Sequence, residues 1–169
     1  VIEKDENGAL NGVIRERQDI VARLIPEASN EEVRDSLVAE LKRQLSLGIT
    51  SLTHATGSIE DYPEWEYVYS LHRGSLPRTY MQVFWVDSET MTAFGKKTGD
   101  GDEHLRVGPI KIFVDGGFTG PAAYTKTPYK NEAEYRGTLS IDPGELTRVI
   151  TELNAAGWHT GIHARGGGG

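Results

Sequence analysis

"DPGELTRVITELNAAGWHTGIHA", residues 142–164, decides the fold. Asp142 stands where a helix N-cap is wanted, Pro143 suits the first helical position, and Glu145 puts an acid in the first turn. Leu146, Val149, Ile150 and Leu153 then fall on one helical face. Gly157 stops the helix, and "WHTGIHA" follows as a strand. The same order is written earlier in the chain. Ser29 and Glu32 form a capping box, and Val33, Leu37, Leu41 and Leu45 repeat at spacing four with Val38 beside them. Gly48 ends that helix, and "ITSLTHA" is the strand. The two units finish alike, on His54-Ala55 and His163-Ala164.

Two more strands lie between them, "RTYMQVFWV" at 78–86 and "VGPIKIFV" at 107–114, both rich in β-branched or aromatic residues. Shorter helices are expected around 63–73 and 88–97. Helix and strand therefore alternate four times, which implies parallel strands joined by crossover helices. Two architectures satisfy this order: an open doubly wound sheet, and part of an eight-fold barrel. A complete barrel takes roughly 250 residues, so four strands in a chain of 169 residues make half of one. No Gly-rich phosphate fingerprint follows any strand, which weakens the nucleotide-binding form of the open sheet. At the N-terminus, "EKDENGALNGVIRE" carries two Asn-Gly dipeptides and predicts a β-hairpin. The expected organisation is a hairpin and linker over residues 1–28, then half of an α/β barrel over 29–169.

A formal charge of −7 leaves no Lys/Arg stripe to neutralise phosphates, so nucleic acid is not an expected partner. No apolar run approaches the ~18 residues that a membrane span needs. The absence of cysteine excludes disulfides and thiolate metal sites and fits a reducing compartment, the cytoplasm. The chain opens without Met and closes on "GGGG", and it reads as an internal piece of a longer protein.

Within "IKIFVDGG", residues 110–117, a lysine interrupts an apolar strand. Alternation sends Ile110, Ile112 and Val114 to one face and Lys111, Phe113 and Asp115 to the other. In a barrel the second set lines the interior and points toward the C-terminal mouth, where barrel active sites sit. One reading is structural: an ion pair between Lys111 and Asp115, or a lysine snorkelling at a strand end. The other is chemical. A buried amine that loses its proton can take up carbon dioxide as a carbamate, an anion with two oxygens able to bridge a pair of divalent cations. His163 ends the next strand and offers an imidazole, a common Zn ligand, unless it is simply a hydrogen-bonded structural residue.

The runs "RVGPIKIFVDGGFTGPAAYTKTPYK", "RGTLSIDPGELTRVITELNAAGWHTGIHARG", "NGVIRERQDIVARLIPEASNEE" and "LSLGITSLTHA" together resemble amidohydrolase family 3, the YtcJ-like metal-dependent hydrolases. The stretch "DGGFTGPAAYT" is similar to a subgroup that hydrolyses N-substituted formamides. The resemblance implies a partial TIM (β/α)8 barrel in which the four strands are numbers 2 to 5. It implies that Lys111 matches a carboxylated, metal-bridging lysine and that His163 matches a metal-binding histidine. It further implies two divalent ions, expected to be Zn, and carbon dioxide for the lysine. The expected reaction is hydrolysis of an amide or formamide C–N bond by metal-activated hydroxide.

Departures from the pattern are equally plain. There is no His-x-His, nothing corresponds to strands 6 to 8, and glycine rather than aspartate follows Gly166. The chain alone is therefore expected to be inactive. Asp115 is the candidate for shaping the mouth and the substrate pocket, with capping of the Gly116-Gly117 turn as its structural alternative. Phe118 and Tyr124, in the long loop after the lysine strand, are candidates for lining a pocket for a small amide substrate. The full-length parent is expected to form a homo-oligomer. His54 matches no ligand position and is expected to be structural. Two further readings stand beside the hydrolase: a non-catalytic barrel relative with a binding or regulatory role, and a self-standing open-sheet domain that binds a small ligand.

Overall fold

The computed structural model describes residues 2–14, 18–130 and 132–169. Residues 15 and 16 of the hairpin stretch, and residue 131 of the long loop, lie outside these. In chain order the elements are β1 (Ile2–Lys4), β2 (Leu10–Ile14), α1 (Gln18–Ala22), α2 (Asn30–Ser46), β3 (Ser51–Gly57) and α3 (Tyr62–His72). There follow β4 (Arg78–Phe84), α4 (Ser88–Ala93), β5 (Leu105–Phe113), α5 (Pro143–Ala155) and β6 (Thr160–His163). Strands β1 and β2 pair antiparallel, as the expected hairpin. The other four strands form one sheet in the order β3-β4-β5-β6. Pairing is parallel from β3 to β4 and from β4 to β5. The α/β alternation read from the sequence is thus a mixed fold with a parallel sheet whose strand order follows chain order.

The chain divides into two compact units. One comprises residues 28–112 and 144–162, the other residues 1–27, 113–143 and 163–169. In the first, Ser29 caps α2 as expected: its side chain accepts from the Glu32 N–H while Glu32 accepts from the Ser29 N–H. Of the apolar stripe on α2 only Leu41 is buried, and Val33 and Leu45 stay exposed. Gly48 and Gly157, both at φ 85°, end α2 and α5 in the left-handed conformation that glycine adopts at least cost. Helix α4 is shorter than its expected span of 88–97, because Gly95 turns to φ 68° directly after the Phe94 cap. The five-residue helix α1 has no counterpart in the sequence reading.

The helix-facing side of the sheet carries the core of this unit. Met81, Val83, Val107 and Ile110 are each 0 % exposed, and Tyr62, Val68, Met91, Val149 and Trp158 are buried with them. Each such aliphatic side chain contributes about 1.5–3 kcal/mol of transfer free energy. Val107 and Ile110 share this face although three residues apart. A bulge makes that possible: Met81 pairs with Val107 but Val83 with Ile110, so β5 spends one residue more than β4. Gly108 and Pro109 occupy the bulge. A Cβ on Gly108 would lie 3.0 Å from the Met81 backbone, and Pro109 has no N–H to lose from the ladder. Beyond it the alternation holds, with Ile110 and Ile112 buried and Lys111 half-buried.

Candidate functional site

Lys111 lies in the first unit, two residues before the end of β5. It pairs with Phe84 of β4, and its carbonyl accepts from the Trp85 N–H at 3.0 Å. On the same strand face of β4 sit Tyr80, Gln82 and Phe84, all half-buried. Gln82 Oε1 is buried without a hydrogen-bond partner, and a Cβ on Gly161 would meet Gln82 Nε2 at 3.3 Å. The sequence reading passed over Gln82. Its signal was the same as that of Lys111, a polar residue inside an apolar strand.

A groove of about 600 Å³ opens at the other end of these strands, lined by Ser51, Arg78, Tyr80, Asp102, His104 and Arg106. These residues stand at strand beginnings, whereas parallel α/β sheets place their chemistry at the carboxyl ends.

His163 belongs to the second unit, with the tight cluster around Asp115. Its carbonyl accepts from the Val114 N–H at 2.8 Å, and its ring rests against Phe113 with centroids 4.7 Å apart and a 48° tilt. Its Nε2 is buried and has no hydrogen-bond partner. An imidazole nitrogen in that condition is either a cost to the fold or a lone pair kept for a ligand. The donor type suits a divalent metal. The number does not: among the described residues no group of three or more His, Asp or Glu side chains stands where it would hold an ion.

Asp115 is 1 % exposed. Its Oδ1 accepts from the Arg165 N–H at 2.8 Å, and its Oδ2 accepts from the N–H groups of Gly166 and Tyr124 at 2.6 and 2.9 Å. Burial pushes its pKa up, but the three N–H donors and the nearby His163 outweigh that and hold the carboxyl below the usual range. The donors come from two loops, so the carboxylate does not serve as a cap for Gly116-Gly117. Tyr124 is half-buried, with its carbonyl accepting from Gly168 at 2.9 Å. Phe118 is 55 % exposed. The loop is ordered by its own contacts: Tyr129 stacks on Tyr135 and donates to the Ala123 carbonyl at 2.7 Å. His54, in the first unit, stacks on Trp65 at 4.8 Å, and burial lowers its pKa.

A parallel α/β sheet with polar residues at its carboxyl ends defines the general class. The family can be stated as well: the model of the amidohydrolase family, third group, matches residues 1–169, and the chain belongs to it. It is 27 % identical to YtcJ of Bacillus subtilis (strain 168), whose name carries the word amidohydrolase, over 98 % of this chain and 32 % of that protein. An uncharacterized metal-dependent hydrolase from Pyrococcus horikoshii OT3 superimposes with a TM-score of 0.70 at 21 % identity, over 89 % of this chain and 30 % of that one. Another from Pyrococcus furiosus gives 0.69 at 19 % identity, over 97 % and 36 %. The chain thus spans about a third of the length of these relatives. Among the described residues no helix is long and apolar enough to cross a membrane.

Proposed function

We propose that this chain is the strand 2 to strand 5 part of a (β/α)8 barrel in a metal-dependent amidohydrolase that cleaves a C–N bond of amide or formamide type. The unpartnered, buried Nε2 of His163 at the end of β6 carries the reading. Family membership, the parallel strands in chain order and the bias of burial to one sheet face support it.

In this reading His163 and Lys111 supply two ligands, and the remaining ligands come from parts of a longer protein outside this chain. The Lys111 amine, once neutral, would take up carbon dioxide, forming an N–C bond and releasing one proton, and the two oxygens of its single carbamate group would be the metal donors. A divalent ion held by these residues, Zn by preference, would supply Lewis acidity toward a carbonyl and a bound water acidified to a pKa of about 7. Tyr124 and Phe118 line the substrate side, while Asp115 shapes that wall from behind. The protein works in the cytoplasm on a small amide, as a homo-oligomer.

The test uses the complete gene product. Metal content by mass spectrometry and hydrolysis of an N-substituted formamide are measured for the protein and for Lys111→Ala and His163→Ala. Both substitutions are expected to lower metal content and to abolish turnover. Full metal occupancy in both variants refutes the ligand assignment. A metal-free, inactive gene product that folds favours the non-catalytic relative.

A further inference from the structure

We propose that Asp115 is the positioning residue of the His163 imidazole, acting through the backbone as a clamp between the exit of β6 and the loop that follows β5. The proposal rests on the reading of His163 as a metal ligand. Three observations carry it. First, the carboxylate is filled by protein: Arg165 and Gly166, two and three residues beyond His163, and Tyr124, nine residues beyond Asp115 itself, supply the three N–H donors. Nothing is left over for substrate, since the residue is 1 % exposed.

Second, the junction has no slack. A Cβ on Gly166 would sit 1.8 Å from the Tyr124 carbonyl oxygen, and one on Gly169 would sit 3.1 Å from Asp115 Oδ2. Third, His163 is tied to the end of β5 by the Val114 N–H on its carbonyl and by the Phe113 ring. A strand end frays unless the residues beyond it are held, and its side chain moves with it. Pinning residues 165 and 166 holds the chain just beyond His163. The chain direction through His163 is then fixed at both ends, and the free Nε2 has one position. Because the same carboxylate holds Tyr124, the pocket loop and the ligand histidine are set by one group.

The experiment measures Zn²⁺ affinity by chelator competition in the complete gene product, for Asp115→Ala and Asp115→Asn. His163→Ala and Val149→Ala, a core truncation on α5, serve as controls. Both Asp115 variants are expected to bind Zn²⁺ at least tenfold more weakly, the usual cost of losing an orienting partner. Asp115→Asn, which keeps one acceptor oxygen, is expected to lose less. Val149→Ala is expected to keep its affinity despite lower stability. Unchanged affinity in Asp115→Ala, with His163→Ala weakened, overturns the clamp alone. Unchanged affinity in His163→Ala overturns the ligand reading beneath it. Amide exchange in the unsubstituted protein decides the matter if neither variant folds. The Tyr124, Arg165 and Gly166 amides are expected to be protected well above those of Gly117 and Gly167; equal exchange overturns the clamp.

Discussion

Gly166→Ala is the sharpest perturbation that the structure offers. The added Cβ would lie 1.8 Å from Tyr124 O, 2.2 Å from Tyr124 C and 2.5 Å from Tyr124 N. All three are backbone atoms, so no side chain can rotate away. The two segments must part by more than about 1 Å, which a close-packed junction does not absorb. Such overpacking costs about 1–3 kcal/mol. It also stretches the Gly166 bond to Asp115 (2.6 Å) and the Gly168 bond to Tyr124 (2.9 Å). Losing a hydrogen bond to a charged group adds about 1.5–3 kcal/mol. A total of about 2.5–6 kcal/mol follows, or a midpoint lowered by about 5–24 °C for a domain of this size. Gly167 is the built-in control, with nothing within 4 Å of its hypothetical Cβ. Thermal and urea unfolding of both alanine variants, followed by circular dichroism, is the assay. If Gly166→Ala unfolds within about 0.5 kcal/mol of Gly167→Ala, ordinary surface scatter, the described junction is wrong.

Ser29→Ala removes the side-chain half of the capping box on α2, leaving the Ser29 N–H bond to Glu32, and should cost about 1 kcal/mol in urea unfolding, with Ser29→Gly milder. Tyr69→Phe deletes a buried hydroxyl that bonds the Pro77 carbonyl and the Thr79 hydroxyl at 2.6 Å each, and should cost about 1–2 kcal/mol by the same measurement. His54 has its pKa lowered by burial from 6.5, so the unfolded chain binds the extra proton first as pH falls. Its contribution is therefore intact above 6.5 and is lost as pH drops below 6.5 toward the folded value. His54→Phe should flatten the stability profile in that window; an unchanged slope contradicts the burial assigned to His54.

Local rules carried most of the fold because each element advertises its own ends. The capping box at Ser29 and the stops at Gly48 and Gly157 are short-range chemistry, visible in a few adjacent residues. Alternation on β5 placed Ile110 and Ile112 in the core and left Lys111 on the other face, since a strand has period two. That rule fails one step earlier, at Gly108-Pro109. The bulge shifts the phase, and nothing in the local pattern says how far β4 advances against β5. The bareness of Val33 and Leu45 on α2 was likewise hidden, because a helical stripe states which face is apolar and not what covers it.

The candidate site was legible in residue type and not in partnership. A lysine and a glutamine inside apolar strands, and a histidine ending another, stand out on composition alone. That Asp115 would spend its carboxylate on Tyr124, Arg165 and Gly166 depends on contacts up to 51 residues apart, which no periodicity encodes. Gly166 had a similar fate. It reads as the start of a glycine tail, yet it is buried against Tyr124.

The most direct measurement is anomalous diffraction at the zinc edge from crystals of the complete gene product soaked in Zn²⁺ and bicarbonate. The expected map has a peak about 2.0–2.1 Å from a ring nitrogen of His163, and planar density for a carboxylate extending Nζ of Lys111 toward the metal. A map at full zinc saturation with no peak beside His163 and a bare amine at Lys111 would contradict the account.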